Sequence, residues 1–376
     1  MISKPSDRWL PKLQDCELPE NDATSAPAIR DTMENDEMSD GAAREDFGFT
    51  VTGEKVERVT ISKDGLTAKI ITWGAVIQDL RLDGHQPPLV LGFDKFEDYK
   101  YSSYFGATPG RNANRIGNGR FAIDGHEYQL ELNEKGVTHL HGGSDGMGKR
   151  NWMLMEHGES HAVLQIIDPD GRAGYPGNCT VTATYTIRDG GVLSVVYETV
   201  TDRPTIANVC QHSYFNLDGA DTALGHEISI GADFYLPTNE QQIPTGEIRS
   251  VEGTVFDLRH STPMRRTENG EQVLYDHNFC LSPERRAKRK VARAYSPASD
   301  IALEVHTTEP GVQFYSAFKL DVPVPGLDGR HYGPFAGFCL ETQIWPDAVN
   351  HPDFPHAILR PGETLRQETD YIFRKG

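Results

Sequence analysis

The chain has 376 residues and carries 55 acidic against 37 basic side chains, which gives a formal net charge of −18 at pH 7. This excess of negative charge argues against a nucleic-acid partner, because such binding depends on Lys and Arg residues that neutralise phosphates. It also argues against an anionic membrane surface, and no segment approaches the roughly 20 apolar residues of a membrane-spanning helix. A protein in solution that acts on a neutral small molecule fits this composition.

The N-terminal segment, residues 1–46, differs from the rest of the chain. It holds 12 acidic and 5 basic residues, few aromatic residues and no sustained hydrophobic period. Such a segment buries too little apolar surface to offset the entropy that is lost on ordering. We therefore expect a disordered acidic tail over 1–46, followed by one folded domain over 47–376. No secretory signal is visible, so we expect a cytoplasmic protein.

The cysteines are odd in number and widely spaced, and no Cys-x-x-Cys pair occurs. This pattern predicts neither a zinc framework nor a disulfide scaffold, and reduced thiols in the cytosol explain it most simply. The five positions are Cys16, Cys179, Cys210, Cys280 and Cys339.

From about Phe49 onward, short alternating apolar segments are interrupted by Gly, Pro and Asp residues. The segment 179–200 is typical of two strands joined by an Asp-Gly-Gly turn, which is a strong hairpin signal. Long stretches with a 3.6-residue period are absent. Many short strands with such turns predict an all-β sandwich or barrel, and the period alone does not separate the possible topologies.

A His-x-His pair, His139 and His141, precedes this region. On a strand the two imidazoles share one face, a spacing that binds metals in some barrel proteins. With His212 and Glu341 the chain could assemble three histidines and one glutamate. A metal-dependent barrel enzyme is therefore one alternative.

His212 lies in the segment NVCQHSYFNLDG. Strand alternation places Cys210, His212 and Tyr214 on one face, where the imidazole could meet a ligand. Histidine titrates near neutrality and can donate and recover a proton, so His212 is a candidate general acid. Taken alone, a buried histidine that bonds to the backbone is an equally good interpretation.

Glu341 lies on an apolar strand that leads into a segment rich in Pro, Asn, Asp and His. Alternation places Phe338 and Leu340 on one face, and Cys339, Glu341 and Gln343 on the other. The carboxylate could form a buried structural hydrogen bond, remain a surface charge, or act as a general base. Burial would raise its pKa toward neutrality, which suits a base.

A basic cluster, ERRAKRKVAR, occupies residues 284–293. Such a cluster can be a nuclear-localisation signal or a patch for a polyanion. A solvated loop between two strands is the interpretation that we favour.

The order of several longer motifs is more specific than any short pattern. These motifs are YFGATPGRNANRIGNGRF, HLHGGSDGMGKRNW, DPDGRAGYPGNCTVTATYTI, TIANVCQHSYFNLDG, YLPTNEQQIPTGEIRSVEGTVFDLR, YDHNFCL, LEVHTTEPGVQFYSAFKL and GFCLETQIWPDAVNHPDFPHAILRPGETL. From about Phe49 to its end, the chain resembles the aldose 1-epimerase (galactose mutarotase) family. The resemblance implies a large antiparallel β-sandwich of the galactose mutarotase type, with a sugar cleft on one concave sheet.

The resemblance also implies an activity, namely interconversion of the α and β anomers of free aldohexoses such as galactose and glucose. It assigns His212 as general acid and Glu341 as general base, which we expect on opposite sides of the sugar, with no metal and no other cofactor. The substrate-binding residues that it implies are Asn114, Arg115, His141, Asp257 and Gln313. Charge pairs that hold a turn are the interpretation that we favour for Arg111 and Arg120.

Two further alternatives remain on the same scaffold. One is a hexose-6-phosphate 1-epimerase, which would need a basic cluster beside the cleft. The other is a sugar-binding protein without catalysis, which the presence of both proton-transfer residues disfavours. The expected partner is a small sugar, with no nucleic acid or membrane, and the chain is expected to be a monomer or a weak homodimer.

Overall fold

The computed structural model describes residues 43–102 and 104–375. Most of the expected tail, residues 1–42, lies outside this range. The first strand, Arg44–Phe49, begins before the expected domain start at residue 47. It pairs with Lys55–Lys63, and the Arg44 guanidinium bonds Glu57 across the two strands. Strand structure therefore includes the last three residues of the segment that we expected to be a tail.

The described residues form 26 strands and seven short 3₁₀ helices. The strands are β1 (Arg44–Phe49), β2 (Lys55–Lys63), β3 (Leu66–Ile71), β4 (Val76–Leu82), β5 (Arg115–Ile116), β6 (Arg120–Ile123), β7 (His126–Gln129), β8 (His139–Leu140), β9 (Met153–His157), β10 (His161–Asp168), β11 (Cys179–Arg188), β12 (Val192–Thr201), β13 (Thr205–Ile206), β14 (Glu227–Ile230), β15 (Phe234–Tyr235), β16 (Arg249–Ser250), β17 (Thr262–Pro263), β18 (Thr267–Glu268), β19 (Glu271–Gln272), β20 (Asp276–Cys280), β21 (Arg289–Ser296), β22 (Ile301–Thr307), β23 (Gly311–Tyr315), β24 (Cys339–Gln343), β25 (Ile358–Leu359) and β26 (Leu365–Lys375). The helices are Phe96–Lys100, Gly117–Gly119, Met147–Lys149, Arg172–Gly174, Ala223–Gly225, Leu327–Gly329 and Ala348–Asn350. Over residues 43–102 and 104–375, no helix has the length and hydrophobicity to cross a membrane.

Three antiparallel sheets carry the architecture. The largest has nine strands in the order β17-β14-β21-β22-β26-β12-β11-β10-β9, the second has five in the order β16-β15-β20-β23-β24, and the third has four, β1 to β4. The all-β antiparallel fold that we predicted is confirmed.

The hairpin that we predicted over 179–200 joins β11 to β12, with Cys179 opposite Thr201 and Arg188 opposite Val192. Its turn places Gly190 at φ 80° and Gly191 at φ 70°, a left-handed conformation that glycine adopts without a steric cost. Strand β11 alternates buried and partly exposed residues along its length. This alternation is what a sheet with one face in the core requires.

The main core lies where the three sheets meet. Each contributes buried apolar side chains, among them Ile61 from the four-stranded sheet, Val181 from the nine-stranded sheet and Phe314 from the five-stranded sheet. In the five-stranded sheet, Phe314 stands opposite Leu340 on the core side. The other face of this sheet carries polar residues and is the face on which the candidate site forms.

Arg111 is a fully buried cation close to the strand that carries Arg115. Its Nε lies 2.9 Å from Asp168 Oδ2, and its Nη1 donates to the carbonyl oxygens of Pro176 and Gly177 at 2.7 and 2.9 Å. The interpretation of Arg111 as a charge pair that holds a turn is confirmed. Arg120, in contrast, is exposed and donates to the neutral amide of Gln129.

Basic side chains of residues 284–293 form ion pairs with nearby carboxylates. Arg285 pairs with Glu309, Lys288 with Asp370, and Lys290 with Glu304. Only the first part of this segment is a loop, since β21 begins at Arg289. These pairs neutralise much of the charge that a polyanion would use.

The buried Arg111 predicts a large effect on stability. Arg111→Leu leaves the Asp168 carboxylate buried with fewer donors, and breaking a buried pair in this way costs about 3–5 kcal/mol. We expect the free energy of unfolding in urea to fall by about that amount, and by less than about 0.5 kcal/mol for the exposed control Arg120→Leu. Equal effects of the two substitutions would contradict the structural role of Arg111.

Candidate active site

The polar face of the five-stranded sheet has a regular order that follows from its register. Gln313 stands opposite both Asn278 and Glu341, so that three polar side chains form one row across β20, β23 and β24. In the adjacent row, Tyr315 stands opposite both Asp276 and Cys339. Glu341 is almost fully buried in this setting, which excludes the surface charge that the sequence left open.

His212 approaches this face from a neighbouring irregular segment. The segment has isolated bridges, Ala107 with His212 and Phe338 with Phe215, and no continuous strand. Alternation still holds, because Phe215 lies in the main core while the His212 ring stacks on Tyr214 at 5.1 Å. His212 and Tyr214 therefore lie on the same side of the segment, as predicted, although the segment is not a regular strand.

The structure brings His212 and Glu341 into direct contact. His212 Nε2 lies 3.6 Å from Glu341 Oε2, and both side chains are about 95% buried or more. No sugar ring fits between two atoms at this distance, so the expectation that the acid and the base flank the ring from opposite sides is wrong. The two groups instead lie side by side.

The surroundings of the pair move the two pKa values in opposite directions. Burial raises the pKa of Glu341 to about 8, and the nearby Asp276 charge adds to this effect. Burial lowers the pKa of His212 to about 4. At neutral pH the pair therefore holds one proton, and at rest this proton lies on Glu341. Such opposed shifts in one buried pair are typical of acid–base sites.

His141 lies beside the pair as a hydrogen-bond donor. Its Nδ1 accepts the backbone N–H of Asn114 at 3.1 Å, and the backbone N–H of His141 donates to the Asn114 carbonyl at 3.2 Å. A neutral imidazole that accepts at Nδ1 carries its proton on Nε2. Burial, with nearby Arg115 and Lys149, holds the pKa of His141 well below its usual range. His141 thus stays neutral with its Nε2–H free to donate.

This geometry bears on the alternative of a metal centre. His139 does not join the cluster, because its two ring nitrogens bond Glu131 O and the Tyr175 hydroxyl, each at 2.7 Å. The remaining His141, His212 and Glu341 offer ligand atoms within 4.8 Å of one another. A metal ligand must present a lone pair, but the proton of His141 lies on Nε2. The hydrogen bond from Asn114 therefore disfavours metal binding and favours donation to an oxygen.

Arg115 is less free than the sequence led us to expect. Its guanidinium makes two bonds to the Glu134 carboxylate, at 2.8 and 2.9 Å, and one to Gln242 Oε1 at 3.0 Å. Gln242 Nε2 in turn donates to Asp276 at 2.8 Å. Arg115 is thus held in place by a network whose other end reaches the row beside Glu341.

The structure does not connect Asp257 with this network. Its carboxylate bonds the guanidinium of Arg259, two residues further along the chain. Asp276 is the carboxylate that accepts from Gln313 Nε2, at 2.8 Å, and that contributes to the raised pKa of Glu341. The sequence interpretation missed Asp276, although it lies in the motif YDHNFCL and its side chain faces the same way as Asn278.

Several amide atoms around Glu341 are buried and have no hydrogen-bond partner among the residues that the structure describes. They are Gln313 Oε1, Asn278 Oδ1 and both side-chain atoms of Gln343. A buried polar atom without a partner costs about 1–3 kcal/mol. The hydroxyl groups of a bound sugar could donate to and accept from these atoms.

The raised pKa of Glu341 predicts a pH-dependent stability difference. Between its ordinary value of 4.5 and about 8, the folded protein keeps a proton that the unfolded chain releases, so stability falls as pH rises. Glu341→Gln removes this titration. We therefore expect the melting temperature of the variant minus that of wild type to increase steadily from about pH 5 to about pH 8.

The matched control is Glu252→Gln, whose side chain is exposed. We expect the melting temperature of this control to stay close to that of wild type over the same pH range. A constant difference for Glu341→Gln as well would contradict the raised pKa of that carboxyl.

Comparisons with known proteins agree with the resemblance of the motifs. The family model described as aldose 1-epimerase matches residues 57–371. Galactose mutarotases of Rattus norvegicus and Homo sapiens are 44% and 43% identical to the chain over 330 residues, covering 85% of it and 95% of each relative. A solved aldose epimerase homologue from C. elegans superimposes with a TM-score of 0.79 at 31% identity, over 85% of this chain and 98% of that one. The chain therefore belongs to the aldose 1-epimerase family.

Proposed function

We propose that this protein is an aldose 1-epimerase, an isomerase that interconverts the α and β anomers of free aldohexoses, with galactose or glucose as substrate. His212 is the general acid and Glu341 the general base. The observation that carries the proposal is the buried contact of 3.6 Å between these two groups, whose pKa values are moved in opposite directions.

The geometry of the pair suits ring opening at a single carbon. Opening requires a proton on the ring oxygen and removal of a proton from the anomeric hydroxyl, and both oxygens are bonded to C1. Two groups side by side can reach two oxygens on one carbon, so the sugar lies over the pair with C1 facing it. Transfer of the shared proton from Glu341 to His212 produces the carboxylate and the imidazolium that this step needs.

The proposed substrate contacts are Asn114, Arg115, His141, Asp276 and Gln313. Asp276 replaces Asp257 of the sequence interpretation, because its carboxylate bonds Gln313 beside the acid–base pair. His141 donates through its fixed Nε2–H, and the Gln313 amide offers an unpaired oxygen. Carboxylates and amides pair well with neighbouring hydroxyls, since each offers more than one site for hydrogen bonds.

The charges around the cleft favour a neutral sugar over its 6-phosphate. Arg115 is already paired with Glu134, and Lys319 at the rim contacts Asp276. The basic run 284–293, which could have formed a phosphate clamp, is bonded to carboxylates of its own surroundings. The Asp276 carboxylate would repel a dianion that entered without further cations.

We also infer the setting in which the protein works. The described cysteines are all unpaired, as a reducing cytoplasm would keep them. The acidic chain has no need of nucleic acid, membrane, metal or other cofactor for this chemistry. We propose a monomer or weak homodimer whose ligand is a small sugar.

The acid–base assignment is tested by His212→Asn and Glu341→Gln. Each removes one proton-transfer group, and we expect kcat for freshly dissolved α-galactose, followed by polarimetry, to fall by at least about 10²-fold. The exposed controls His260→Asn and Glu252→Gln should match wild type. Activity that EDTA abolishes and zinc restores, or a higher kcat/KM for glucose 6-phosphate than for glucose, would contradict the proposal.

The choice between the two aspartates has its own test. Asp276→Asn replaces a charged hydrogen-bond acceptor of the proposed site with a neutral amide. We therefore expect kcat/KM to fall by about 10- to 100-fold. Asp257→Asn should stay within about twofold of wild type, because its carboxylate bonds Arg259. The opposite ranking of the two variants would restore Asp257 to the site.

A further inference from the structure

A buried thiol contacts the proposed acid on the side away from its proton-transfer partner. Cys339 Sγ lies 3.6 Å from His212 Nδ1, whereas Nε2 of the same ring faces Glu341. Cys339 and Glu341 are two residues apart on β24 and therefore project from the same face. One short strand thus contacts both nitrogens of the imidazole.

We propose that Cys339 is a positioning residue for His212, whose thiol directs Nε2 of the imidazole at Glu341 and the sugar and gives Nδ1 a neutral hydrogen-bond partner. This inference rests on the proposed role of His212 as general acid. It gives a chemical role to a side chain that the proton-transfer steps do not use.

The packing around His212 shows why a partner at Nδ1 matters. Tyr104 and Tyr214 both stack on the imidazole, with centroids at 5.6 and 5.1 Å and interplanar angles of 19° and 23°. Two stacked rings restrain the plane of the imidazole, but they do not distinguish the two orientations that a half-turn about the Cβ–Cγ bond exchanges. Contacts of the ring nitrogens select one of these orientations, so Cys339 and Glu341, together with the hydrogen bond between the ring and the His212 backbone, decide where Nε2 points.

A thiol suits a group that gains and loses a proton in each cycle. The proton that Glu341 passes to His212 enters at Nε2, so Nδ1 carries an N–H in both the neutral imidazole and the imidazolium, and the thiol sulfur can accept from it in both. Burial raises the pKa of Cys339 well above its usual range, so the thiol stays uncharged. It therefore serves as a partner in both protonation states of His212.

A carboxylate at this position would act differently. In hydrolytic triads an Asp accepts from Nδ1–H and stabilises the imidazolium, which makes the histidine a better base. Next to a neutral thiol, His212 keeps a low affinity for protons, and burial lowers its pKa to about 4. Its imidazolium is then a strong acid, which suits protonation of a sugar ring oxygen, itself a very weak base.

Other groups around His212 do not replace Cys339 in this role. Asp276 acts through its charge and raises the proton affinity of His212, against the larger effect of burial. The titratable and charged groups that face the imidazole are Tyr104, His141, Tyr214, Asp276, Cys339 and Glu341. Of these, Cys339 makes the contact at Nδ1.

Three substitutions of Cys339 in the full-length protein test this role. Cys339→Ser keeps a group that both donates and accepts, so kcat for α-galactose should stay within about threefold of wild type. Cys339→Ala removes the partner, and we expect kcat to fall about five- to tenfold with KM unchanged, the size expected for one neutral hydrogen bond. Cys339→Asp should raise the pKa of His212 by at least about one unit.

Titration of His212 by NMR without substrate measures that last shift independently of turnover. Cys179→Ala removes another buried thiol, in the nine-stranded sheet, and should leave both the His212 titration and kcat unchanged. If wild type itself does not turn over galactose, the proposed function fails, while the titrations still test the contact. A role limited to packing would lower the melting temperature of the Ala variant without changing kcat or the His212 titration, and that result would overturn the proposal.

Discussion

The burial of Glu341 against His212 is the constraint on which the rest of the site depends. A carboxyl group that loses its water either takes a charged partner or keeps its proton, and here no cation contacts it within the described chain. The Cys210 thiol lies 3.8 Å from the same oxygen that faces His212 and provides a weak, uncharged contact. The proton consequently rests on Glu341, and the imidazole beside it stays neutral. The two groups thus form a neutral pair that shares one proton.

The five-stranded sheet makes this burial possible because its two faces have different chemistry. One face packs Phe279, Phe314 and Leu340 into the core that the three sheets share. The opposite face carries Asn278, Gln313 and Glu341 in one row, so that the rigid register of the sheet fixes their spacing. The same apolar packing that stabilises the fold therefore holds the reactive groups in position and limits the access of water to them.

A network of hydrogen bonds holds the residues that would bind a sugar. Glu134 orients Arg115, Gln242 joins Arg115 to Asp276, and Asp276 orients Gln313. Such linked contacts cost less on binding than free side chains, since the rotamers are already restrained. The backbone of Asn114 adds to this by fixing the tautomer of His141. The site is therefore built largely from groups whose donors and acceptors are assigned before a ligand enters.

Sequence by itself determined much of this protein. Alternation around Glu341 and the Asp-Gly-Gly hairpin followed from local chemistry, and the ordered motifs indicated the family and its fold. Local patterns are informative here because a strand with one buried face must alternate. Tertiary structure alone separated Asp257 from Asp276, because the first bonds Arg259 and the second bonds Gln313, which stands opposite Glu341. It alone separated His139, which bonds Glu131 and Tyr175, from His141, which bonds Asn114. It also brought His212 to 3.6 Å from Glu341, since a contact between residues so far apart in the sequence depends on how the sheets pack and not on any local spacing.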